Sequence, residues 1–337
     1  MRLQRLKKDN LKSFFIYLNL YYKKNHILFK SKKLFDWQYL SDKKYNFFYL
    51  LIRKKIMAIQ GIIPTSHFDK NIKKNTVFLS MWSSAGVATG AKLFFLLLKK
   101  INFKIVIGLG SSNQSFAFQK FIGFKCGYMK HFFMTSDKYK KKIIRPNNFS
   151  NYKKVKKKIN YREINSEKEL LKLDKKIFSY QEPKKTAVYL LNRYYKHPFY
   201  RYNIYLVKNK KKESSLFIFR VCKYKNLSAI RIVDFIGPNY LFPEGKYVFD
   251  FLLKKNNSDY IDIYSYGIPT NYLKKSNLEN INIYKKKIII PYYFEPLIFK
   301  NFKMAFAYKI NKKIFKPIRL FKGDSDMDRP NIVKKNF

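Results

Sequence analysis

The stretch TVFLSMWSSAGVATGAKLFFLLLKKINFKIVIGLG, residues 76–110, decides how the rest of the chain is read. It opens on an apolar run, residues 76–82, that suits a strand, and closes on FKIVIGLG, residues 103–110, a second strand ending in glycine. Between them, residues 91–99 have helix composition with apolar side chains almost all round, the pattern of a buried helix. Strand, helix and strand within about 35 residues make a crossover unit, which joins parallel strands through a right-handed connection. The loop before the helix carries no charge until Lys92, in a chain crowded with lysine. A small-residue turn from strand into helix presents successive backbone N–H groups at the positive end of the helix dipole, and so holds a pyrophosphate without cationic side chains. Gly86 and Gly90 let the backbone come close to such a ligand, and Ala85 and Ala88 keep side chains from intruding.

Outward from this unit, YNFFYLLI, RKK and IMAIQGIIP, residues 45–64, read as a hairpin that precedes it. The order recurs downstream. Strands are expected at RYNIYLV, SLFIFRVCKY and SAIRIVDFIG, a helix at residues 248–254, and a strand at DYIDIYSYG, with a further helix at residues 167–178. The basic stretch 136–160 between the halves has little periodicity and reads as a linker or excursion. The expected organisation is therefore a unit at 1–135, this linker, and a second unit at 161–337, related by an old duplication.

The 337 residues, 47% apolar and 19% aromatic, are ample for two cores. With 72 Lys and Arg against 21 acids the net charge is +51, which suggests nucleic acid, an anionic membrane face or an acidic ligand as partner. The lysines are spread along the whole chain, as A+T-rich codons would also produce. Cys126 and Cys222 stand far apart, so neither a disulfide framework nor a CxxC metal site is indicated, and a reducing, cytoplasmic location is expected. The N-terminus, MRLQRLKKDNLKSFFIYLNLYYKK, lacks a small-residue cleavage site and reads as a first helix able to rest on a membrane surface. No apolar run approaches the roughly 20 residues needed to span a bilayer.

At these residues the chain resembles the GNAT (Gcn5-related) acyltransferase superfamily. The family's acyl-CoA segment is a strand, a loop of the type Arg/Gln-x-x-Gly-x-Gly/Ala, a helix and a diverging strand, then a helix ending in Gly-Phe. Here the loop corresponds to Ala85, Gly86, Val87, Ala88, Thr89 and Gly90, followed by Leu93 and Phe94, and the Gly-Phe pair to Gly123 and Phe124. LFDWQY, residues 34–39, and KGDSDMDRPN, residues 322–331, are similar to bacterial acyltransferases that modify surface-polysaccharide sugars. The resemblance implies an α/β fold with mixed sheets: two GNAT-like units, each mostly antiparallel, with one parallel crossover and helices on both faces. It departs at Ala85 and Ala88, which put more of the pyrophosphate on backbone groups. It departs again at Gln119, which stands where many relatives carry a tyrosine general acid.

Acyl transfer to an amine needs donors for a developing oxyanion, aligned reactants and a route for the amine's proton. Backbone groups near Met81, Trp82 and Ser83 are the expected oxyanion contact, with Asn113 at the next loop also expected near the cofactor. His67 and Asp69 in PTSHFD are the catalytic candidates, as base or substrate contact, while His131 reads as structural. Asp36, Trp37 and Gln38 are candidates for the acceptor pocket; a core role for Trp37 and a helix cap for Asp36 compete. Asp324, Asp326 and Asp328 alternate in the tail before Arg329, without the downstream Glu of a calcium loop, so no metal is expected. They suit the ammonium or hydroxyls of an amino sugar, with Arg329 on a phosphate or carboxylate; a solvated turn is the plainer alternative. HPFYRY, residues 197–202, stands where the second half's hairpin is expected, and the stretch after IRIVDFIGP lacks a compact glycine pair. The second half is thus read as a copy that binds no CoA and shapes the acceptor site, with Asp234 and Tyr240 as cleft candidates.

Three functions follow as expectations. The first is an N-acyltransferase moving an acyl group, acetyl above all, from acyl-CoA to an amino sugar, nucleotide-linked, for a surface glycan. The second is a Fem-like aminoacyl transferase that would hold aminoacyl-tRNA on a basic groove. The third is a non-catalytic basic binding protein.

Overall fold

The computed structural model describes residues 1–137, 150–155, 160–281 and 288–331. Most of the basic stretch 136–160 lies outside the described residues.

The first sheet takes β1 (Arg2–Lys7), β2 (Leu40–Ser41), β3 (Lys44–Ile52), β4 (Lys55–Pro64), β5 (Thr76–Ser84), β6 (Ile105–Leu109) and β7 (Lys125–Tyr128). Its order is β1-β3-β4-β5-β6, then a strand from far downstream, Ala305–Ile310, then β7. Arg53 and Lys54 join β3 to β4 with both residues at positive φ, the two-residue turn whose twist matches a hairpin. All neighbours in this sheet are antiparallel except β5 and β6.

The second sheet takes β8 (Lys130–Thr135), β9 (Asn160–Glu163), β10 (Asn203–Lys208), β11 (Ser214–Tyr224), β12 (Leu227–Ile236), β13 (Tyr260–Tyr266) and β14 (Glu279–Asn280), in the order β14-β8-β13-β12-β11-β10-β9. β12 and β13 are its parallel pair. β15 (Tyr293–Phe294) and β16 (Leu297–Ile298) form a separate hairpin. The strand β17 (Ala305–Ile310) is the late addition to the first sheet, and β18 (Leu320–Phe321) returns to pair with the end of β13. Two mixed sheets, each with one parallel crossover, are the architecture expected from the sequence. The halves also trade strands: β8, the last stretch of residues 1–135, lies in the second sheet, whereas β17, from residues 161–337, lies in the first.

The helices are α1 (Leu11–Tyr21), α2 (Ile27–Lys30), α3 (Lys32–Tyr39), α4 (Val87–Lys100), α5 (Asn113–Phe121), α6 (Glu167–Leu171), α7 (Ala187–Leu190), α8 (Lys246–Lys255) and α9 (Thr270–Lys275). One apolar cluster runs from Phe14, Phe35 and Phe47 through Tyr189 and Tyr194 to Val233 and Leu320, so the two units share a core. α4 and α5 cover the opposite face of the first sheet through Phe94, Leu97 and Phe118, and α8 does so for the second through Phe249 and Leu252.

Two local expectations change. The first residues form β1 before α1 begins, because residues 2–5 pair in register with residues 48–51 of β3. The helix expected at 167–178 stops at Leu171, and Asp174 then caps a separate short turn by accepting from the Lys176 N–H at 2.8 Å.

Candidate active site

β5 and β6 pair from Thr76 with Ile105 to Leu79 with Gly108, and then separate. Just beyond, β5 bulges: its pairing with β4 jumps from Gly61 with Ser80 to Ile59 with Ser83, and Met81 in the bulge holds φ +47°. A bulge turns strand groups out of the ladder, and a methionine at positive φ carries strain that the surrounding sheet maintains. The separation opens a cavity of about 290 Å³.

Its walls come from five segments. β5 gives Ser80, Met81 and Trp82, and β4 gives Gln60. The end of β6 and the start of α5 give Gly110, Ser111, Ser112 and Ser115. Tyr22 follows α1, and the tail contributes Asp326, Met327, Arg329 and Asn331. Met327 lies so close to Gly110, at φ +66°, that a β-carbon there would stand 2.4 Å from its Cε.

α4 begins at Val87, just past the end of β5 at Ser84; Met81 and Trp82 of β5 line the cavity, whereas Ser83, the turn at Ala85–Gly90 and Asn113 do not. Its N-cap, Gly86, has no side chain to cap the first turn, so the leading N–H groups have no intrahelical acceptor. Thr89 Oγ1 donates to the Gly86 carbonyl at 2.7 Å, and the Ala85 N–H to Met57 O at 2.8 Å, which fixes the turn while leaving Val87 almost fully exposed. Gly90 serves packing: a β-carbon there would meet Ser84 Oγ at 2.7 Å. A β-carbon at Gly86 would meet only Thr89 Oγ1, at an ordinary contact distance of 3.8 Å. Asn113 is the first residue of α5, beside the cap Ser112, whose Oγ accepts from the Ser115 N–H.

Several polar groups in the walls are committed, and two are not. Gln119 is buried against Gly108 and accepts from Ser111 Oγ at 3.0 Å. Gln60 Nε2 donates to Ser80 O at 2.7 Å and Gly61 O at 3.0 Å, leaving Gln60 Oε1 buried without a partner. Trp82 Nε1 is likewise buried without an acceptor.

The tail's three aspartates separate. Asp324 lies 2.8 Å from Lys185 Nζ, which also meets Asp234 at 2.6 Å, all three fully buried. Asp328 takes a two-pronged contact from Arg220 at 2.9 and 2.8 Å and a hydrogen bond from Tyr202. Against the cost of burial, Arg220 holds the Asp328 carboxyl below its ordinary range. Asp326 alone reaches the cavity, where Arg329 Nη1 donates to it at 2.9 Å and Arg329 Nη2 donates to His26 Nε2 at 3.1 Å. Burial, with Arg329 and Lys23, lowers His26 to about 3, so it stays neutral and accepts that bond.

The remaining candidates sit outside the cavity's lining. His67 is half-buried, donates from Nε2 to Trp37 O at 2.7 Å, and has its basicity lowered by its loss of contact with water. Asp69 accepts from Thr186 Oγ1 at 2.5 Å and from the Asn71 N–H at 2.9 Å. Asp36 accepts from Tyr45 and Lys32; Trp37 packs between Phe68, His197 and Arg193; Gln38 is buried. His131 bonds Asp262 at 2.9 Å under Tyr264, a structural place, and Tyr240 donates to Glu213 at the surface. No group of His, Cys, Asp and Glu among the described residues suits a metal ion.

Gln60, Tyr22 and the serines at the start of α5 carried no signal in the sequence. Gln60 reads as one more strand residue.

No protein-family model matches the chain, and no curated protein matches its sequence. Its structure is similar to a GCN5-related N-acetyltransferase from Anabaena variabilis, with TM-score 0.56 and 12% identity, covering 92% of this chain and 72% of that one. A conserved Enterococcus faecalis protein described as a probable N-acyltransferase gives TM-score 0.55 at 12% identity, with the same coverage. A GCN5-related N-acetyltransferase from Kribbella flavida gives 0.55 at 8%, over 92% of this chain and 70% of that one. The chain therefore has the fold of the GCN5-related N-acetyltransferases, built as two such units.

Proposed function

We propose that the chain is an acyl-CoA-dependent N-acyltransferase whose single site is the open splay of the first unit. The observation that supports this most is the cavity where β5 and β6 part, lined by Met81 and Trp82 of the strand whose next helix, α4, begins without a side-chain cap. The pyrophosphate of CoA would sit on the N–H groups after Gly86, and its pantetheine arm would enter between the strands. The acceptor amine adds to the thioester carbon, a backbone N–H at the bulge of Met81, Trp82 and Ser83 holds the oxyanion, and the C–S bond then breaks. The thiolate takes up a proton as the amine gives one away.

Asp326 is the one carboxylate among the described lining residues, which favours an acceptor that carries an ammonium or hydroxyls, as an amino sugar does. We assign the sugar a nucleotide carrier and a place in surface-glycan synthesis from the sequence resemblance. The tRNA reading draws less support: Arg329 is the one cation among the described lining residues. Titration calorimetry with acetyl-CoA and CoA, followed by thiol release with a panel of amino sugars free and nucleotide-linked, tests this. Micromolar binding and amine-dependent thiol release are expected; no binding at millimolar CoA overturns it.

A further inference from the structure

α1 is apolar on nearly every side, its only polar residues being Lys12, Ser13 and Asn19. A helix of that composition is normally enclosed. Here Phe14, Tyr17 and Leu18 are buried, while Ile16 is 54% and Leu20 69% exposed. These two stand one turn apart on the outer face, which the described residues leave largely uncovered.

The segment around them is strongly basic. Residues 1–33 hold ten Lys or Arg and one acid, Asp9, and Lys7, Lys8, Lys12, Lys23 and Lys24 are all exposed. The helix also ends at the candidate site: Ser83 Oγ donates to Tyr21 O at 2.8 Å, and Tyr22 lines the cavity.

We propose that α1 docks the protein on an anionic bilayer surface, with Ile16 and Leu20 entering the headgroup boundary and the flanking lysines on lipid phosphates. A nucleic acid would use the cations and leave Ile16 and Leu20 in water. A second copy of this chain would bring the same cations against themselves. A bilayer with acidic headgroups satisfies both the apolar centre and its basic flanks. Docking stands independently of the catalytic reading; where both hold, the cavity's rim faces the lipid surface.

The test is flotation of the full chain with vesicles of phosphatidylcholine mixed with phosphatidylglycerol, and of phosphatidylcholine alone, for wild type and the I16Q/L20Q double variant. Glutamine keeps the helix, and circular dichroism checks that it has. The wild type is expected to float with the acidic vesicles only, and the double variant to partition about tenfold less with unchanged acetyl-CoA affinity. The proposal is overturned if the wild type stays unbound, or if the variant floats as the wild type does. It is also overturned if light scattering shows a dimer that I16Q/L20Q dissociates. Normal flotation without acetyl-CoA binding would keep the docking and remove the acyl-transfer reading.

Discussion

The two units part their parallel strands in the same way, and only one of them leaves the gap empty. In the first, β5 and β6 separate after Leu79 and Gly108 around a cavity of about 290 Å³. In the second, β12 and β13 pair up to Ile232 with Ile263, and the chain's own tail occupies the place beyond. Phe321 and Leu320 pair with Ser265 and Tyr266, and the Gly323 N–H donates to Val233 O at 2.8 Å. Val233 is the residue that β12 bulges, skipped between the pairs Ile218 with Asp234 and Phe219 with Ile232. The bulge that faces a cavity in one unit is thus hydrogen-bonded to the tail in the other. The following helix differs too. α4 starts at an open glycine turn, whereas α8 continues from a short helix at Asn239–Gly245, with Gly245 wedged against Phe217 and Phe249. Two units of one topology thus differ by a single segment, which fills in one the place that is a cavity in the other.

Emptying the filled splay is the largest perturbation. Phe321 is fully buried, with Lys185 over its ring and the Asp234 and Asp324 carboxylates on that lysine. Phe321→Ala should cost about 3–5 kcal/mol, read from urea unfolding. It should create no second CoA site, because α8 lacks an open start. Calorimetry showing two acetyl-CoA sites in this variant would break the comparison.

Closing the open splay comes next. Gly86 has φ −164°, an extended conformation any residue adopts, and space for a side chain. Gly86→Asp supplies an N-cap, so the melting temperature should hold or rise slightly. The same carboxylate repels a pyrophosphate, and acetyl-CoA affinity should fall about 100-fold, roughly 3 kcal/mol. Gly90→Val is the poorer probe, since it forces α4 off Ser84.

The crossover at residues 76–110 was legible because its strands and helix announce themselves by apolar period, and the structure places β5, α4 and β6 there. The glycine turn was legible for the same local reason. What the sequence did not show depends on distant parts of the chain. Nothing near Ala305 marks β17 for the first sheet, and nothing in GDSDMDRPN says that Asp326 reaches a cavity while Asp324 and Asp328 face Lys185 and Arg220. Those assignments follow from tertiary placement, with partners more than a hundred residues away. Trp37 illustrates the converse: its packing on Phe68, His197 and Arg193 is that of a residue joining the two units.

Acid should loosen the tail by a smaller amount, and from both of its ends. His26 meets Arg329 beside the first splay, and His197 lies near Asp328 and Arg220. Burial is the main cause that lowers them, to about 3 and about 2 from 6.5. Both are neutral when folded and take a proton once unfolded below about pH 6.5, so the unfolded chain binds more protons and stability falls as pH falls. The expected loss is about 1 kcal/mol for each histidine between about pH 7.5 and 5.5, measured by urea unfolding. His26→Gln and His197→Gln should each flatten part of that slope. An unchanged slope in both would show that other groups titrate.

The finest contrast lies opposite the two bulges. β11 presents Ile218 and Phe219 there, whereas β4 presents Gln60. Two backbone carbonyls fix the Gln60 amide through Nε2, and Oε1 has no donor. A buried acceptor left unpaired costs about 1–3 kcal/mol, a penalty removed when a ligand N–H arrives. Gln60→Met keeps length and approximate volume while removing both the pinning bonds and the orphaned oxygen. Stability should change little, because the lost hydrogen bonds and the removed penalty offset each other. If Oε1 receives the acceptor amine, KM for an amino-sugar substrate should rise about tenfold at saturating acetyl-CoA, with acetyl-CoA affinity unchanged. A loss confined to acetyl-CoA affinity would place the contact on the amide groups of the pantetheine arm instead. If neither constant moves, Gln60 only braces the bulge, and the polar character of the first splay rests on its serines and on Asp326.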